Sequence, residues 1–105
     1  MTLTIQIPHS DDASSIREHA ERALRFAFTR FTSAIAGIRL RLVDENGPRG
    51  GVDQRCRVHV VLRSGGTISV EGTGTDGVSA IFDVVARAER TIARRLSRTR
   101  GARLG

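Results

Sequence analysis

The chain has 105 residues, 39% of them hydrophobic and 27% charged, and a net charge of +6. That suffices for one domain with a modest core, and excludes a core plus a deep substrate cavity. No apolar run approaches the roughly 18 residues a membrane span needs, and a lone cysteine, Cys56, excludes an intrachain disulfide or a cysteine-based zinc site.

The first strand is read from Thr2 to Ile7, with Leu3, Ile5 and Ile7 on one face, and Pro8 stops it. This N-terminus has no basic flank and no apolar core of a signal peptide, so a cytoplasmic protein is expected. Ser10, Asp11 and Asp12 offer capping oxygens to a helix running from about Ala13 to Phe31. Ile16, Ala20, Ala23, Leu24, Ala27 and Phe31 recur at helical spacing and form its apolar stripe. Arg22 and Arg25, with Glu18 and Glu21, lie opposite.

Gly37 closes the connection to a second strand, in which Ile38, Leu40 and Leu42 face inward. Asn46 to Gly51 is a glycine-rich loop, expected to be mobile. A third strand alternates Cys56, Val58, Val60 and Leu62 with Arg55, Arg57, His59 and Val61. Ser64-Gly65-Gly66-Thr67 signals a tight hairpin into a fourth strand through Ile68 and Val70. After the stretch Gly72 to Gly77, a second helix places Val78, Ile81, Val85, Ala88, Ile92 and Leu96 on one face. The chain divides into a domain over residues 1–98 and a flexible basic tail over 99–105.

The order β-α-β-β-β-α, with one apolar face per strand, predicts an α+β fold: a four-stranded sheet with two helices packed on one face. The uncovered face carries Arg39, Arg41, Arg55, Arg57, His59 and Arg63, either as a solvated surface or as a second phosphate-binding one.

All 17 basic residues are arginine, and they are unevenly spread. From Arg87 to Gly105 there are seven arginines against one acid, Glu89, so that segment holds the whole net charge. A localised basic stripe is the electrostatic footprint of a polyanion binder. Arg87, Arg90, Arg94 and Arg98 are spaced 3, 4 and 4 apart and share the helix face opposite Ile81, Val85, Ala88 and Ile92. Guanidinium groups in such a row can follow a phosphate backbone and bind it bidentately. Arg95, Arg22 and Arg25 complete the candidate contact set.

Other signals point away from catalysis. Gly72-Thr-Gly74-Thr-Asp-Gly77 fits G-x-G-x-x-G, but the dinucleotide fingerprint needs a following parallel strand and none remains. The glycines are read instead as permitting a tight strand-to-helix connection. Asn46 to Gly51 lacks the Gly-Lys-Ser/Thr ending of a P-loop. His9, His19 and His59 are not at metal-ligand spacing, the paired acids Asp11-Asp12 and Asp44-Glu45 sit beside turns, and no activated nucleophile is evident. No enzyme, metal or cofactor is expected. There is no Trp or Tyr, and Phe26, Phe28, Phe31 and Phe82 read as core or its margin. Single-strand binders that stack bases need aromatics on the sheet face, so recognition of folded RNA by backbone and shape is expected.

The pattern resembles the ribosome hibernation-promoting factor family, also called protein Y or RaiA. Ile16-Arg-Glu-His-Ala-Glu21 is similar to that family's Leu-Arg-Glu-Tyr-Val-Glu run. Asp76, Ala80-Ile81, Glu89-Arg90 and Arg94-Arg95 fall at the family's spacing in the second helix, and His9 matches a position often His or Asn. The family's usual Tyr is Val78 here, the acid after its Ile is Phe82, and the basic residue before its His is Pro8. The resemblance covers about residues 2–98. It implies a fold like that of double-stranded RNA-binding domains, binding to small-subunit rRNA in the decoding channel, and inhibition of translation under stress. Two other readings stay open: a general binder of structured or double-stranded RNA, and a divergent interaction domain that has lost RNA binding. A monomer or weak homodimer is expected, since an open sheet edge can pair chains.

Overall fold

The computed structural model describes residues 1–44 and 54–104, with side chains described for 1–43 and 54–98. The expected loop at Asn46 to Gly51 lies outside the described residues. The elements are β1 (Thr2–Gln6), α1 (Ala13–Phe28), a 3-10 turn (Thr29–Phe31), β2 (Ile35–Asp44), β3 (Gln54–Leu62), β4 (Thr67–Gly74) and α2 (Gly77–Leu104). The strands form one sheet in the order β1-β2-β3-β4, with β1 parallel to β2 and the other pairs antiparallel. This is the α+β fold expected from the alternation.

Alternation decides which side of the sheet is buried. Ile38, Leu40 and Leu42 of β2, Cys56, Val58, Val60 and Leu62 of β3, and Ile68 of β4 face the helices and are buried. Strand β2 begins three residues before Ile38. A bulge between Ile35 and Gly37 adds one residue to the strand, so Ile35 and Ile38 both point inward despite their odd spacing. From α1 the core takes Ala20, Leu24, Ala27 and Phe28; from α2 it takes Ala80, Ile81, Val84, Val85, Ala88 and Ile92. Burying such side chains stabilises by about 1.5–3 kcal/mol for each large one.

The helix ends differ from expectation. The Asp12 side chain makes no cap bond to α1. Its carboxylate instead accepts the Ser10 hydroxyl at 2.9 Å, which competes with capping. The α-helix stops at Phe28, where Thr29 Oγ1 donates back to the Arg25 carbonyl and the chain tightens into the 3-10 turn. That tightening makes Phe28, not Phe31, the fully buried aromatic. Phe31 packs at the margin with its ring 6.5 Å from that of Phe28. Helix α2 runs to Leu104, through Gly101.

The hairpin between β3 and β4 is a three-residue loop. Gly65 N–H donates to the Leu62 carbonyl, and Leu62 N–H donates to the Gly66 carbonyl, both at 3.1 Å. Gly65 and Gly66 have φ of 98° and 88°, a conformation that L side chains rarely adopt.

Candidate nucleic-acid interface

Helix α2 starts at a cap made for it. Asp76 Oδ1 accepts the Ser79 N–H at 2.7 Å. That bond, with the Ser79 hydroxyl and the Val78 N–H, holds the Asp76 carboxyl below the usual carboxylate range. The helix then crosses β4 at backbone distance. A Cβ on Gly74 would lie 2.5 Å from Ala80 N, and one on Gly72 would lie 2.6 Å from Val84 N. The space beside the first two glycines of the G-x-G-x-x-G pattern is therefore filled by helix backbone, and that beside Gly77 by the Leu42 and Ile16 side chains, which leaves no room there for a pyrophosphate.

Asp83 continues this seam. Its Oδ2 accepts the Thr73 N–H at 3.0 Å, and its carboxylate also accepts Arg87 Nε at 3.1 and 3.2 Å. The Thr73 N–H is the main cause that keeps the carboxyl below its ordinary range, with Arg87 adding to it against an opposing push from burial. Glu89, the other acid near the arginine row, accepts Arg30 at 3.1 Å and so ties the 3-10 turn after α1 to α2. Both acids are thereby engaged. Arg90, Arg94 and Arg98, all exposed, make no hydrogen bond or ion pair among the described residues.

The expected row is present on α2. At 1.5 Å rise per residue, Arg87 to Arg98 spans roughly 16 Å of exposed helix. Arg95 does not share it. It sits about 80° round the helix from Arg87, with its Nη1 4.0 Å from where a Cβ on Gly66 would stand. There it lines a cleft of about 510 Å³ with Arg30, Phe31, Ser33, Arg63 and Leu96. Arg30 lies over the Phe31 ring at 4.4 Å. Arg63, expected on the uncovered sheet face, follows the end of β3 and turns into this cleft instead, as its N–H donates to the Ala34 carbonyl at 2.9 Å. Sequence spacing gave no sign of this cleft, because its residues come from three separate elements.

Arg22 and Arg25 are exposed on α1, apart from the row. Arg25 is held by Glu21 at 3.2 Å. Two phenylalanines expected in or beside the core are exposed: Phe26 at 92% and Phe82 at 55%. Phe26 lies two residues from both Leu24 and Phe28, which puts it on the opposite face of α1 from the buried stripe.

Among the described residues no group of three or more His, Cys, Asp or Glu could hold a metal ion, and no helix is long and apolar enough to cross a membrane. Cys56 is buried and its thiol is pushed up to about 12 by desolvation.

The model of the family described as Sigma 54 modulation protein / S30EA ribosomal protein matches residues 3–100. Among solved structures, a ribosomal subunit interface protein from Coxiella burnetii superposes with a TM-score of 0.74 at 15% identity, covering 92% of this chain and 99% of that one. The N-terminal domain of protein Y from Thermus thermophilus superposes with a TM-score of 0.62 at 24% identity, covering 89% of this chain and 93% of that one. No curated protein matches the sequence.

Proposed function

The chain belongs to the Sigma 54 modulation protein / S30EA ribosomal protein family, and on that premise we propose that it is a ribosome hibernation factor. It binds the small subunit in the decoding channel, where mRNA and tRNA anticodons would sit, and shuts down translation under stress in the cytoplasm. It is a non-enzymatic factor, as the family's members are, and acts by occupancy.

The observation that carries this reading is the arginine row on α2, three of whose four members have no ion pair among the described residues. Arg87, Arg90, Arg94 and Arg98 share one exposed face, and the acids nearby, Asp83 and Glu89, are engaged by Thr73, Arg87 and Arg30. Leaving three like charges uncompensated has a use when the partner is a phosphate backbone. Arg95 and Arg98 extend the contact toward the end of the helix, and Arg22 and Arg25 extend it across α1. The sheet face has no aromatic residue on which bases could stack, so contacts go to phosphates and shape.

The test is co-sedimentation with purified ribosomal subunits, comparing the chain with an R90E/R94E variant at low and moderate salt. The small subunit is expected to retain the former and not the latter. Equal binding of a plain RNA duplex and of the subunit would point instead to a general binder of structured RNA. Unchanged retention of R90E/R94E would show a domain that works without its arginine row.

A further inference from the structure

The uncovered face of the sheet holds a second concentration of charge, opposite the helices. Register places Arg39 beside His59, Arg41 beside Arg57, and Arg55 beside Val43. On the outer strands the same rows end in Thr4, Gln6, Ser69, Glu71 and Thr73. With strands about 4.8 Å apart and same-face residues about 6.8 Å apart, five basic side chains share a patch roughly 5 by 13 Å at the backbone. Among the described residues Glu71 is the one acid on that face. It accepts Arg57 Nε at 2.9 Å and stands 3.8 Å from Arg55 Nε. Arg39 and Arg41 are exposed and make no ion pair among the described residues.

One pair on this face sets like charges against each other, and Glu71 meets only the Arg57 side of it. Arg41 and Arg57 are direct cross-strand partners, and like charges directly opposite each other destabilise a sheet. A face kept polar only for solubility would alternate signs or use Thr and Ser, as β1 and β4 largely do with Thr2, Thr4, Thr67 and Ser69. Opposed arginines gain a role once an anion lies between them. Their forked guanidinium donors suit phosphate, and the face offers no aromatic ring for base stacking.

We propose that this sheet face is a second RNA-phosphate surface, so that the domain is gripped between two RNA segments, one along α2 and one across β2 and β3. The proposal rests on the ribosomal reading above but uses different residues. The sheet lies between the two surfaces, and the molecule measures about 19 to 22 Å in its two shorter dimensions. One RNA strand cannot satisfy both at once without wrapping an edge.

The experiment uses the full chain and the variants R39Q/R41Q and R90Q/R94Q. Native mass spectrometry at low ionic strength with excess short RNA duplex counts the duplexes bound, and subunit co-sedimentation across salt gives the slope of log affinity. Two duplexes on the wild type, one on each variant, and a slope shallower by about 1.4–1.8 for R39Q/R41Q are expected. Thermal melting of R41T separates this from a structural role: a functional arginine opposed by a like charge gives a midpoint higher by roughly 1–4 °C. One duplex on the wild type, with R39Q/R41Q unchanged in subunit binding, overturns the proposal and leaves the α2 reading intact. Displacement of the second duplex by an acidic peptide as readily as by RNA overturns it in favour of a protein partner. Failure of the wild type itself to bind the subunit, even at low salt, sinks the ribosomal reading.

Discussion

The carboxylate of Asp83 accepts the backbone N–H of Thr73 at 3.0 Å, a bond from the second turn of α2 to strand β4. It is possible only because Gly72 and Gly74 let the helix lie directly on the strand. A Cβ at either glycine would meet helix backbone nitrogen at 2.5 to 2.6 Å. Helix backbone cannot rotate aside as a side chain can, so the approach depends on glycine at both positions. The same contact sets the angle at which α2 carries Arg87 to Arg98 past the sheet.

Gly74→Ala is therefore expected to destabilise by about 3 kcal/mol or more, beyond the usual range for a solvent-facing alanine substitution. Chemical denaturation checks this. A control at Gly37, where a Cβ would meet Thr2 O and Thr2 Cβ at an ordinary 3.5 and 3.9 Å, is expected to cost far less. Equal effects at the two glycines would show that α2 does not need the close crossing.

Acid should loosen the start of α2 first. Asp76 and Asp83 are both held below the ordinary carboxylate range, chiefly by the N–H groups of Ser79 and Thr73. A carboxyl with a lowered folded pKa adds stability that is fully present above its unfolded value, near 3.9. That stability is lost as pH falls through the lowered folded value. Melting midpoints are expected to be insensitive to these groups at neutral pH and to fall below about pH 4. In the D83N variant the acid-induced fall should be smaller. A fall that begins near pH 6 would implicate other groups.

Much of the fold could be read from alternation and helical periodicity, since these follow directly from which face a backbone presents to the core. Cys56, Val58, Val60 and Leu62 were legible for that reason, as were Ile81, Val85, Ala88 and Ile92. The misreadings fall where local geometry breaks the period. The bulge at Ala36 let Ile35 join the core, and the 3-10 turn moved the buried aromatic from Phe31 to Phe28. The arginine row was legible because its members lie on one helix. The gathering of Arg30, Arg63 and Arg95 was not, since it needs the ends of α1, β3 and the middle of α2 to meet.

The phenylalanines offer a direct check of that boundary. Phe28 is fully buried, and Phe28→Ala is expected to cost about 3–5 kcal/mol. Phe26 is 92% exposed, and Phe26→Ala is expected to change stability by no more than about 0.5 kcal/mol. A large loss at Phe26 would mean that the ring is covered in solution, as it would be in a dimer.

Cys56 gives a test that does not depend on any partner. Its side chain is buried in β3 and burial pushes the thiol up to about 12, so little thiolate forms at neutral pH and no reagent reaches it. Alkylation by iodoacetamide is expected to be negligible in the native protein and rapid in denaturant. Labelling under native conditions at a rate near that of a free thiol would contradict its place in the core.

The arginine row makes the sharpest prediction, because counterion release ties charge to a slope and not only to an affinity. Each phosphate neutralised contributes about 0.7 to 0.9 to the fall of log affinity with log salt. Arg87 is partly occupied by Asp83 at 3.1 Å, whereas Arg90 and Arg94 have no such partner among the described residues. Replacing Arg90 and Arg94 by glutamine should thus lower the slope by about 1.4–1.8. Arg87→Gln should lower it by less, since part of that charge is already met within the protein. Arg25, held by Glu21, should behave like Arg87. Measuring subunit affinity at several salt concentrations for each variant ranks them. If Arg87 and Arg25 changed the slope as much as Arg90 and Arg94, internal ion pairing would not decide which arginines reach the phosphate backbone.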